Sequence, residues 1–358
     1  MPQAEKHTKK EVSRRSVKTS KEGKKGVLKE DTELKKADEK EPSAIAFAKD
    51  PRTSYAEALL SKKPRDIFNE YKTKEMEKIK PDSYTYLAWQ RFESKNRYPD
   101  IVCLDNTRVK LKDRDSSNDY IHASWMTMTN GRRYISTQGP LEDTIGDFWH
   151  MIITEQSTQI VMLCALNEGK ESKCERYYPK FSKGHSINAG DYKITYDRKL
   201  HSIYKETSIY QYKVTGGKLA DPFIVTHFLV NSWKDHSIPT NLEQIIALLK
   251  CVTKAPMENP ITVHCSAGIG RTSAFVAVDY ANQAIMANPD FTMVQLLKEL
   301  RKMRFHAVQG GGQYFYIHAG LIELWVTEGI IKRDPCKSFL GGYKKICEIL
   351  NKKVSENP

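Results

Sequence analysis

A short loop between an apolar strand and a helix contains the residue types needed for covalent attack on an anion. The segment reads ITVHCSAGIGRTSAFVAVDY, in which ITVHC is predicted to be a buried strand and SAFVAVDY to begin a helix. Backbone N–H groups of such a loop can turn inward at the helix N-terminus, where they bind oxyanions. The loop residues predicted to form this cradle are Ser266, Ala267, Gly268, Ile269 and Gly270.

Side chains that can take part in chemistry lie at both ends of this loop. Arg271 can donate two parallel hydrogen bonds to an anion through its planar guanidinium. Because the thiolate form of cysteine is favoured near helix N-termini and positive charge, Cys265 is predicted to be a nucleophile that attacks phosphate. His264 is expected to orient the loop, and Thr272 to hydrogen-bond the sulfur as it leaves. The alternative is that Cys265 is a small buried hydrophobe, but the two loop glycines and the arginine favour the nucleophile.

The segments around the loop predict one mixed α+β domain over residues 54–335. Strand-like runs precede the loop, and segments with apolar residues at helical spacing follow it. Pro64 and Pro81 interrupt further helical segments at the start of the domain. The predicted strands are RYIST, TQIVMLC, YKITYD, YQYKVTG and FIVTHFLV; the predicted helices are SYAEALLSKKPRDIFNEYKTK, EMEKIKPDSYTYLAWQRF, SAFVAVDYANQAIMA, MVQLLKELRKM and GQYFYIHAGLIELWVTEGI. Strands followed by helices are typical of the α+β class.

Both ends of the chain are predicted to lie outside that domain. Residues 1–53 alternate lysine with glutamate and serine, and they are too poor in apolar side chains to offset chain entropy. They are therefore predicted to be a disordered basic tail. A solvated extension is favoured for this tail over contact with anionic surfaces such as lipid or RNA, or with an import receptor. Residues 336–358 are predicted to add a short helix and then fray.

The composition limits the class of protein. The formal net charge is +13, yet no nucleic-acid-binding motif accompanies it, so a soluble protein with an anionic substrate is the simplest interpretation. The seven cysteines lack metal-ligand spacing, so neither a disulfide framework nor a metal site is predicted, and no cofactor is expected. The sequence shows neither a signal peptide nor a transmembrane run. We expect a cytoplasmic location, with the nucleus as the alternative.

The loop HCSAGIGRT resembles the signature of the cysteine-dependent protein tyrosine phosphatases, which is His-Cys, five residues, Arg and then Ser or Thr. Further segments resemble motifs of the tyrosine-specific, non-receptor type of domain, in that family's order. These segments are KNRYPDIVCLDNTRVKL, DYIHASW, YISTQGPL, DFWHMI, QIVMLC, KCERYYP, WKDHSIP and VQGGGQY. The resemblance implies a three-layer fold, with a central twisted mixed sheet flanked by helices.

The resemblance also implies roles for residues outside the loop. Tyr98 would stack on the substrate ring and make the pocket too deep for phosphoserine, and Asp100 would bind the substrate backbone. Asp235 would protonate the departing tyrosyl oxygen, because a phenolate is costly to expel unassisted. Gln309 and Gln313 would position the water that cleaves the phosphocysteine. Taken singly, each of these is an ordinary polar or aromatic residue.

Three segments depart from the family pattern, and one of them is the recognition loop, where Cys103 and Leu104 stand in place of a proline and an aromatic residue. The acid loop usually reads Trp-Pro-Asp-His-Gly, whereas this chain reads Trp233, Lys234, Asp235, His236 and Ser237. Lysine does not fix φ as proline does, and serine is less free than glycine to adopt a positive φ. The three glycines at 310–312 are predicted to make the loop that carries Gln309 flexible. We expect slower catalysis from these changes.

Three functions are compatible with these residues. The first is an active tyrosine phosphatase that acts on phosphotyrosine-containing proteins through a phosphocysteine intermediate. The second is a catalytically weak domain that binds phosphotyrosine proteins as a module, motivated by the altered acid loop. The third is a scaffold whose basic tail binds RNA or lipid. The presence of Cys265, Arg271, Asp235 and Gln309 favours the first.

Overall fold

The computed structural model describes residues 50–73, 80–202 and 204–356 of the chain. Its helices are α1 (Pro51–Leu60), α2 (Pro64–Glu70), α3 (Leu87–Arg91), α4 (Ile145–Thr154), α5 (Leu242–Val252), α6 (Arg271–Ala287), α7 (Met293–Met303), α8 (Gly311–Thr327) and α9 (Lys337–Glu356). Its strands are β1 (Arg108–Lys110), β2 (Tyr120–Thr127), β3 (Arg133–Thr137), β4 (Gln159–Met162), β5 (Asn167–Glu168), β6 (Glu171–Ser172), β7 (Ser186–Ala189), β8 (Tyr192–Leu200), β9 (Thr207–Gly216), β10 (Phe223–Val230) and β11 (Ile261–His264). The predicted tail up to residue 49, and residues 75–79 at the start of the predicted helical segment EMEKIKPDSYTYLAWQRF, lie outside the described residues.

A mixed sheet with strand order β1-β2-β3-β11-β4-β10-β9-β8-β7 forms the centre of the described chain. β11 pairs in parallel with β3 on one side and with β4 on the other, and β10 is parallel to β4. The outer strands pair antiparallel. All residues of β11 are buried, as expected of a strand with neighbours on both sides. The strand that precedes the reactive loop is therefore held in the middle of the sheet.

Helices flank the sheet, which confirms the predicted α+β class. α6 follows the reactive loop and packs against α8, and most side chains of both helices are buried. α5 was not predicted from the sequence, although Asn241 caps it by accepting a hydrogen bond from Gln244 N at 3.2 Å. Among the described helices, none is long and apolar enough to cross a bilayer.

The first described helix begins earlier than the predicted domain start at residue 54. Pro51 is in the first turn of α1, and the Asp50 carboxylate accepts a hydrogen bond from Arg52 N at 3.0 Å. Proline in the first turn preceded by a capping aspartate is a strong start signal, because proline has no N–H to leave unsatisfied there. The domain boundaries themselves remain a prediction.

The C-terminal helix is longer than the short helix predicted after residue 335. α9 spans 20 residues and packs against α8 and α2. Its buried side chains include Phe339, Tyr343 and Cys347, which recur every four residues and so share one face of the helix. This apolar stripe stabilises a helix that its many lysines obscure in the sequence.

Candidate active site

The loop between β11 and α6 is shaped by one obligatory glycine. Gly268 has a φ of +71°, and a Cβ atom there would lie 2.2 Å from the carbonyl oxygen of Thr137. Only glycine fits this combination of left-handed backbone and close approach. The turn brings the N–H of Gly268 to 3.3 Å from the Cys265 Sγ, where it donates a hydrogen bond to the sulfur. The loop therefore directs at least one backbone donor at the predicted nucleophile.

The side chain of Arg304 donates hydrogen bonds to two backbone carbonyls of this loop. Its Nε donates to Gly268 O at 3.1 Å, and its Nη2 donates to Ala267 O at 3.0 Å. These bonds keep the loop carbonyls outward, away from the thiol. The guanidinium is fully buried, and burial lowers its pKa. Sequence reasoning missed Arg304, because an arginine at the end of an amphipathic helix gives no sign that it will fold back under a loop.

Arg271, the residue that follows this loop, is 1% exposed. Its Nη1 donates to Glu168 Oε1 at 2.5 Å and to Trp233 O at 2.8 Å. Its Nε and Nη2 have no hydrogen-bond acceptor within the part of the chain that the structure describes. Burial alone would lower the pKa of Arg271, but Cys265 and Asp235 raise it, so the side chain stays charged. These two nitrogens form the edge of arginine that binds oxyanions bidentately.

The acid loop lies against Arg271. The Asp235 Oδ1 is 3.4 Å from Arg271 Nη2, and its Oδ2 is 3.1 Å from Lys173 Nζ. The N–H of Asp235 donates to Glu168 Oε2 at 2.8 Å. Burial alone would raise the pKa of the Asp235 carboxyl, but Arg271, His236 and Lys173 together lower it below its ordinary value. The predicted general acid is therefore in place, and it is ionised when no other anion occupies the site.

The altered residues of the acid loop form a closed turn. The positive φ falls on His236, at +54°, and not on Ser237. The concern that serine cannot supply a positive φ is therefore wrong, because position 237 does not require one. Instead, the Ser237 hydroxyl donates to Lys234 O at 2.6 Å. Trp233 is buried and donates from Nε1 to Ser237 O at 3.0 Å, which anchors the loop to the core.

The loop that carries Gln309 touches the reactive loop directly. A Cβ atom on Gly270 would lie 2.4 Å from Gln309 Oε1 and 2.7 Å from Gln313 Nε2, so both amides abut the loop. The Gln313 Oε1 also accepts a hydrogen bond from Gln309 N at 2.8 Å. Val308 has a φ of +62°, a strained conformation for a β-branched residue. Hydrogen bonds from Val308 N to Ile269 O and from Tyr71 to Val308 O hold that conformation.

Two of the three glycines in this segment are packing residues. Gly311 and Gly312 begin α8, and a Cβ on Gly311 would lie 2.7 Å from Phe68 O. A Cβ on Gly312 would lie 2.7 Å from Leu350 Cδ1 of α9. The prediction that the glycines make the loop flexible is wrong for these two, because they let α2 and α9 approach the start of α8. A Cβ on Gly310 would have no atom within 4 Å, so the prediction stays a prediction for that residue.

Tyr98 and Asp100 lie at the rim of the site. The Ser266 hydroxyl donates to Lys173 O at 2.9 Å, so its oxygen accepts the hydrogen of the Tyr98 hydroxyl at 2.7 Å. Asp100 is exposed and lines a cavity of about 340 Å³ together with Ile269 and Gln309. The structure therefore places Tyr98 against the reactive loop and Asp100 beside it, and their predicted contacts with a substrate stay predictions.

Two predicted contacts of Cys265 have different outcomes. His264 is buried, and its Nδ1 lies 3.0 Å from Cys265 O, so it contacts the loop as predicted. The Thr272 hydroxyl is buried and has no hydrogen-bond partner among the described residues, so the predicted bond to the sulfur is not formed in this state. Sequence reasoning also missed Glu168, which bridges Arg271 and the acid loop, because it lies far from both in sequence.

Comparison with known proteins agrees with this geometry. The family model described as protein-tyrosine phosphatase matches residues 92–323. Tyrosine-protein phosphatase non-receptor type 20 of Rattus norvegicus is 33% identical over 271 residues, which are 75% of this chain and 62% of that protein. Tyrosine-protein phosphatase non-receptor type 9 of Homo sapiens is 33% identical over 258 residues, 66% of this chain and 42% of that protein. The chain thus spans less than two thirds of the length of these relatives.

A solved structure shows the same fold. It comes from work on the PTPN18 fingerprint on distinct HER2 tyrosine phosphorylation sites, and it superimposes with a TM-score of 0.66 at 27% sequence identity. The match covers 77% of this chain and 99% of that one. The family resemblance of the sequence is confirmed, and the chain belongs to the protein-tyrosine phosphatase family.

Proposed function

We propose that the protein hydrolyses phosphotyrosine on proteins through a phosphocysteine intermediate on Cys265. One observation carries the proposal: the Nε and Nη2 of the buried Arg271, at the end of the loop that holds the thiol, have no hydrogen-bond acceptor among the described residues. Asp235 Oδ1, 3.4 Å from Nη2, forms an ion pair with it but no hydrogen bond. A buried charge with unmet donors is costly unless a ligand supplies the acceptors. A phosphoryl group supplies two oxygens in the geometry that guanidinium binds best.

The proposed reaction has two steps. The Cys265 thiolate attacks phosphorus, the bond from phosphorus to the tyrosyl oxygen breaks, and Asp235 gives its proton to that oxygen. A water molecule, positioned by Gln309 and Gln313, then attacks phosphorus and gives a proton back to Asp235 while the sulfur leaves. The negative charge of a phosphoryl group bound to Arg271 offsets the positive charge that lowers the pKa of Asp235, which favours the protonated acid in the complex.

Selectivity for tyrosine is assigned to Tyr98, with Asp100 for the peptide backbone. The hydrogen bond of Tyr98 to Ser266 supports this role, because it holds the ring beside the loop entrance. A deep pocket walled by this ring admits the long phosphotyrosine side chain and keeps phosphoserine from the sulfur. The proposed substrates are therefore phosphotyrosine proteins, in the cytoplasm or the nucleus. A contact of the basic tail with anionic surfaces stays a prediction.

The alternative of a phosphotyrosine-binding module has less support. It rested on the altered acid loop, but Asp235 lies 3.4 Å from Arg271 Nη2 in a turn that Ser237 closes. A positioned carboxylate at that distance favours catalysis over binding alone.

Single-turnover kinetics on a phosphotyrosine peptide test the proposal. Cys265→Ser is expected to abolish turnover but to retain binding of the peptide, because a serine hydroxyl stays protonated where the thiol ionises. Arg271→Lys is expected to lose both binding and turnover, since an ammonium cannot form the planar fork. Lys254→Ala, at an exposed position, serves as the matched control. Full activity of Cys265→Ser would refute the nucleophile, and tight binding without turnover by the wild type would favour the binding module.

The substrate class has its own test. Tyr98→Ala is expected to erase the preference for phosphotyrosine over phosphoserine peptides, measured as a ratio of kcat/KM values. An unchanged ratio would leave Tyr98 as a structural residue.

A further inference from the structure

A chain of buried hydrogen bonds runs from the middle of β9 to the nucleophile. The Tyr212 hydroxyl lies 3.0 Å from His227 Nδ1, and His227 Nε2 lies 2.9 Å from the Tyr177 hydroxyl. The Tyr177 hydroxyl lies 2.7 Å from His264 Nε2, and His264 Nδ1 lies 3.0 Å from Cys265 O. The four side chains belong to separate segments of the chain, and all are fully buried.

The acceptor at the end of the chain determines the tautomer of His264. The carbonyl of Cys265 can only accept a hydrogen bond, so His264 Nδ1 must carry the hydrogen. Burial lowers the pKa of His264 to about 4, so the ring is neutral at physiological pH and its Nε2 has a lone pair. The Tyr177 hydroxyl must therefore donate to His264 Nε2. A second contact of that hydroxyl, to Met162 Sδ at 3.7 Å, is with a thioether, which is a weak acceptor and does not displace the ring nitrogen at 2.7 Å.

The same reasoning fixes the next two bonds. The Tyr177 oxygen has used its hydrogen, so it accepts from His227, whose Nε2 must carry the hydrogen. His227 is also neutral, because burial and the nearby His264 lower its pKa. Its Nδ1 therefore accepts from Tyr212, whose hydroxyl is the first donor of the chain. Every bond points the same way, from Tyr212 towards Cys265.

We propose that Tyr212 and His227 are positioning residues for the nucleophile, because they hold His264 in the tautomer that donates to the Cys265 carbonyl. This inference rests on the proposed function only for its kinetic consequence; the tautomers themselves follow from the contacts. Neither residue belongs to the reactive loop. Tyr212 lies on β9, two strands away from β4, which neighbours β11.

The Tyr212 hydroxyl is the first donor of the chain, and without it the hydrogen bonds no longer have one fixed direction. Without the Tyr212 hydroxyl, His227 Nδ1 no longer has a donor, and the tautomer with hydrogen on Nδ1 becomes accessible. The Nε2 atoms of His227 and His264 then compete for the single hydrogen of Tyr177. His264 loses its fixed partner in a fraction of the molecules, and the peptide of Cys265 loses its restraint. Thiolate formation in the loop depends on that restraint, since the N–H of Gly268 must stay directed at the sulfur.

The test uses Tyr212→Phe, with Tyr210→Phe as the matched control from the same strand. Tyr210 stacks on Phe181 at 3.7 Å and makes none of the bonds of the chain, so both variants remove one hydroxyl from a retained ring. ¹⁵N NMR of the histidine rings reports the tautomers, and the pH profile of Cys265 alkylation by iodoacetate reports the thiolate. In Tyr212→Phe we expect a mixed tautomer signal for His227 and a roughly threefold slower alkylation at pH 6, equivalent to about 0.5 pH unit in the profile. The kcat/KM for a phosphotyrosine peptide is expected to fall by a similar factor.

The tautomer readout is independent of the reaction. If the wild type shows hydrogen on Nδ1 of His264 and on Nε2 of His227, and Tyr212→Phe alone disturbs them, the proposal holds even for a protein that only binds phosphotyrosine. The proposal would be overturned if the wild-type histidines had other tautomers. It would also be overturned if Tyr212→Phe, like Tyr210→Phe, left the histidine signals and the alkylation rate unchanged. His227→Phe provides a second variant should Tyr212→Phe fail to fold, with slower alkylation expected for the same reason.

Discussion

Glu168 and Arg271 form a partly buried ion pair that connects the acid loop to the reactive loop. The Glu168 Oε1 lies 2.5 Å from Arg271 Nη1, while its Oε2 accepts the N–H of Asp235 at 2.8 Å. One carboxylate therefore sets both the orientation of the guanidinium and the position of Asp235, the proposed general acid. A change at Glu168 disturbs two parts of the reaction at once.

Glu168→Gln is expected to lower kcat by roughly ten- to a hundredfold, because displacement of a positioned group by about 1 Å has that effect. The amide keeps the size of the side chain but removes the charge that orients Arg271. Steady-state kinetics on a phosphotyrosine peptide measure the effect. Glu258→Gln, at an exposed position, is the control. Equal kinetics for the two variants would show that the ion pair serves stability alone.

Replacement of Lys234 by proline tests whether the acid loop is limited by its conformational freedom. The turn uses the carbonyl of Lys234 and the N–H of Asp235, so proline at 234 leaves both bonds intact. A compatible proline stabilises a conformation by about 0.4 to 1 kcal/mol, so kcat is expected to rise several-fold with little change in affinity.

The double variant with Asp235→Ala provides the internal control. Asp235→Ala alone is expected to lower kcat by a factor on the order of 10². Without the acid, a better ordered loop delivers no proton, so Lys234→Pro is expected to add nothing in that background. Additive effects of the two substitutions would show that the proline acts elsewhere.

The lowered pKa of Asp235 predicts faster reaction at acidic pH. The protonated acid is the form that donates, and Arg271, His236 and Lys173 favour the ionised form against the effect of burial. As pH rises, the fraction of Asp235 that is protonated in the free enzyme falls about tenfold per pH unit. We expect the ratio of kcat/KM of the wild type to that of Asp235→Asn to decline from pH 5 to pH 8. This ratio cancels the ionisation of the substrate, and a constant ratio would contradict the acid role.

Because several histidines are buried and neutral, we expect the folded state to lose stability as pH falls from 7 to 5. Burial lowers the pKa of His264 and His318 to about 4 and that of His122 to about 3. The unfolded chain binds protons at these histidines below about pH 6.5 while the folded state does not, so their contribution is complete above pH 6.5 and is lost as pH falls. Each buried histidine is expected to lower the free energy of unfolding at pH 5 by on the order of 1 to 2 kcal/mol.

Urea unfolding at pH 7 and pH 5 measures this loss. His318→Gln is expected to show a smaller difference between the two pH values than the wild type, because one buried histidine is gone. His185→Gln, at an exposed position, should keep the wild-type difference. An unfolding free energy that stays constant between pH 7 and pH 5 would contradict the burial of neutral rings.

The C-terminal helix is predicted to support the acid loop. The Tyr343 hydroxyl donates to Pro239 O at 2.7 Å, just beyond Ser237. Loss of this buried hydrogen bond in Tyr343→Phe is expected to reduce stability by about 1 kcal/mol and to lower kcat a few-fold, since the loop end is less firmly held. Thermal unfolding and peptide kinetics measure both effects. Lys344→Ala, the exposed neighbour, is expected to change neither.

Sequence reasoning succeeded where the chemistry is local in the chain. The strand, the loop from Cys265 to Arg271 and the helix are contiguous, so their spacing predicts an anion site without knowledge of the rest of the fold. The alternation and helical periodicity of the flanking segments likewise predict the α+β class, because burial imposes period 2 on strands and 3.6 on helices. The acid and glutamine loops depended on family resemblance, since each is ordinary in isolation.

Contacts between distant segments required the tertiary structure. The sequence by itself predicted the anion-binding loop with Cys265 and Arg271, and it determined the class of fold. Only the folded chain decided that Glu168 pairs with Arg271, that Arg304 holds the loop carbonyls, and that Gly311 and Gly312 admit neighbouring helices. The physical reason is that hydrogen bonds and close packing depend on distances between atoms, which residue type and spacing along the chain do not specify once segments are far apart.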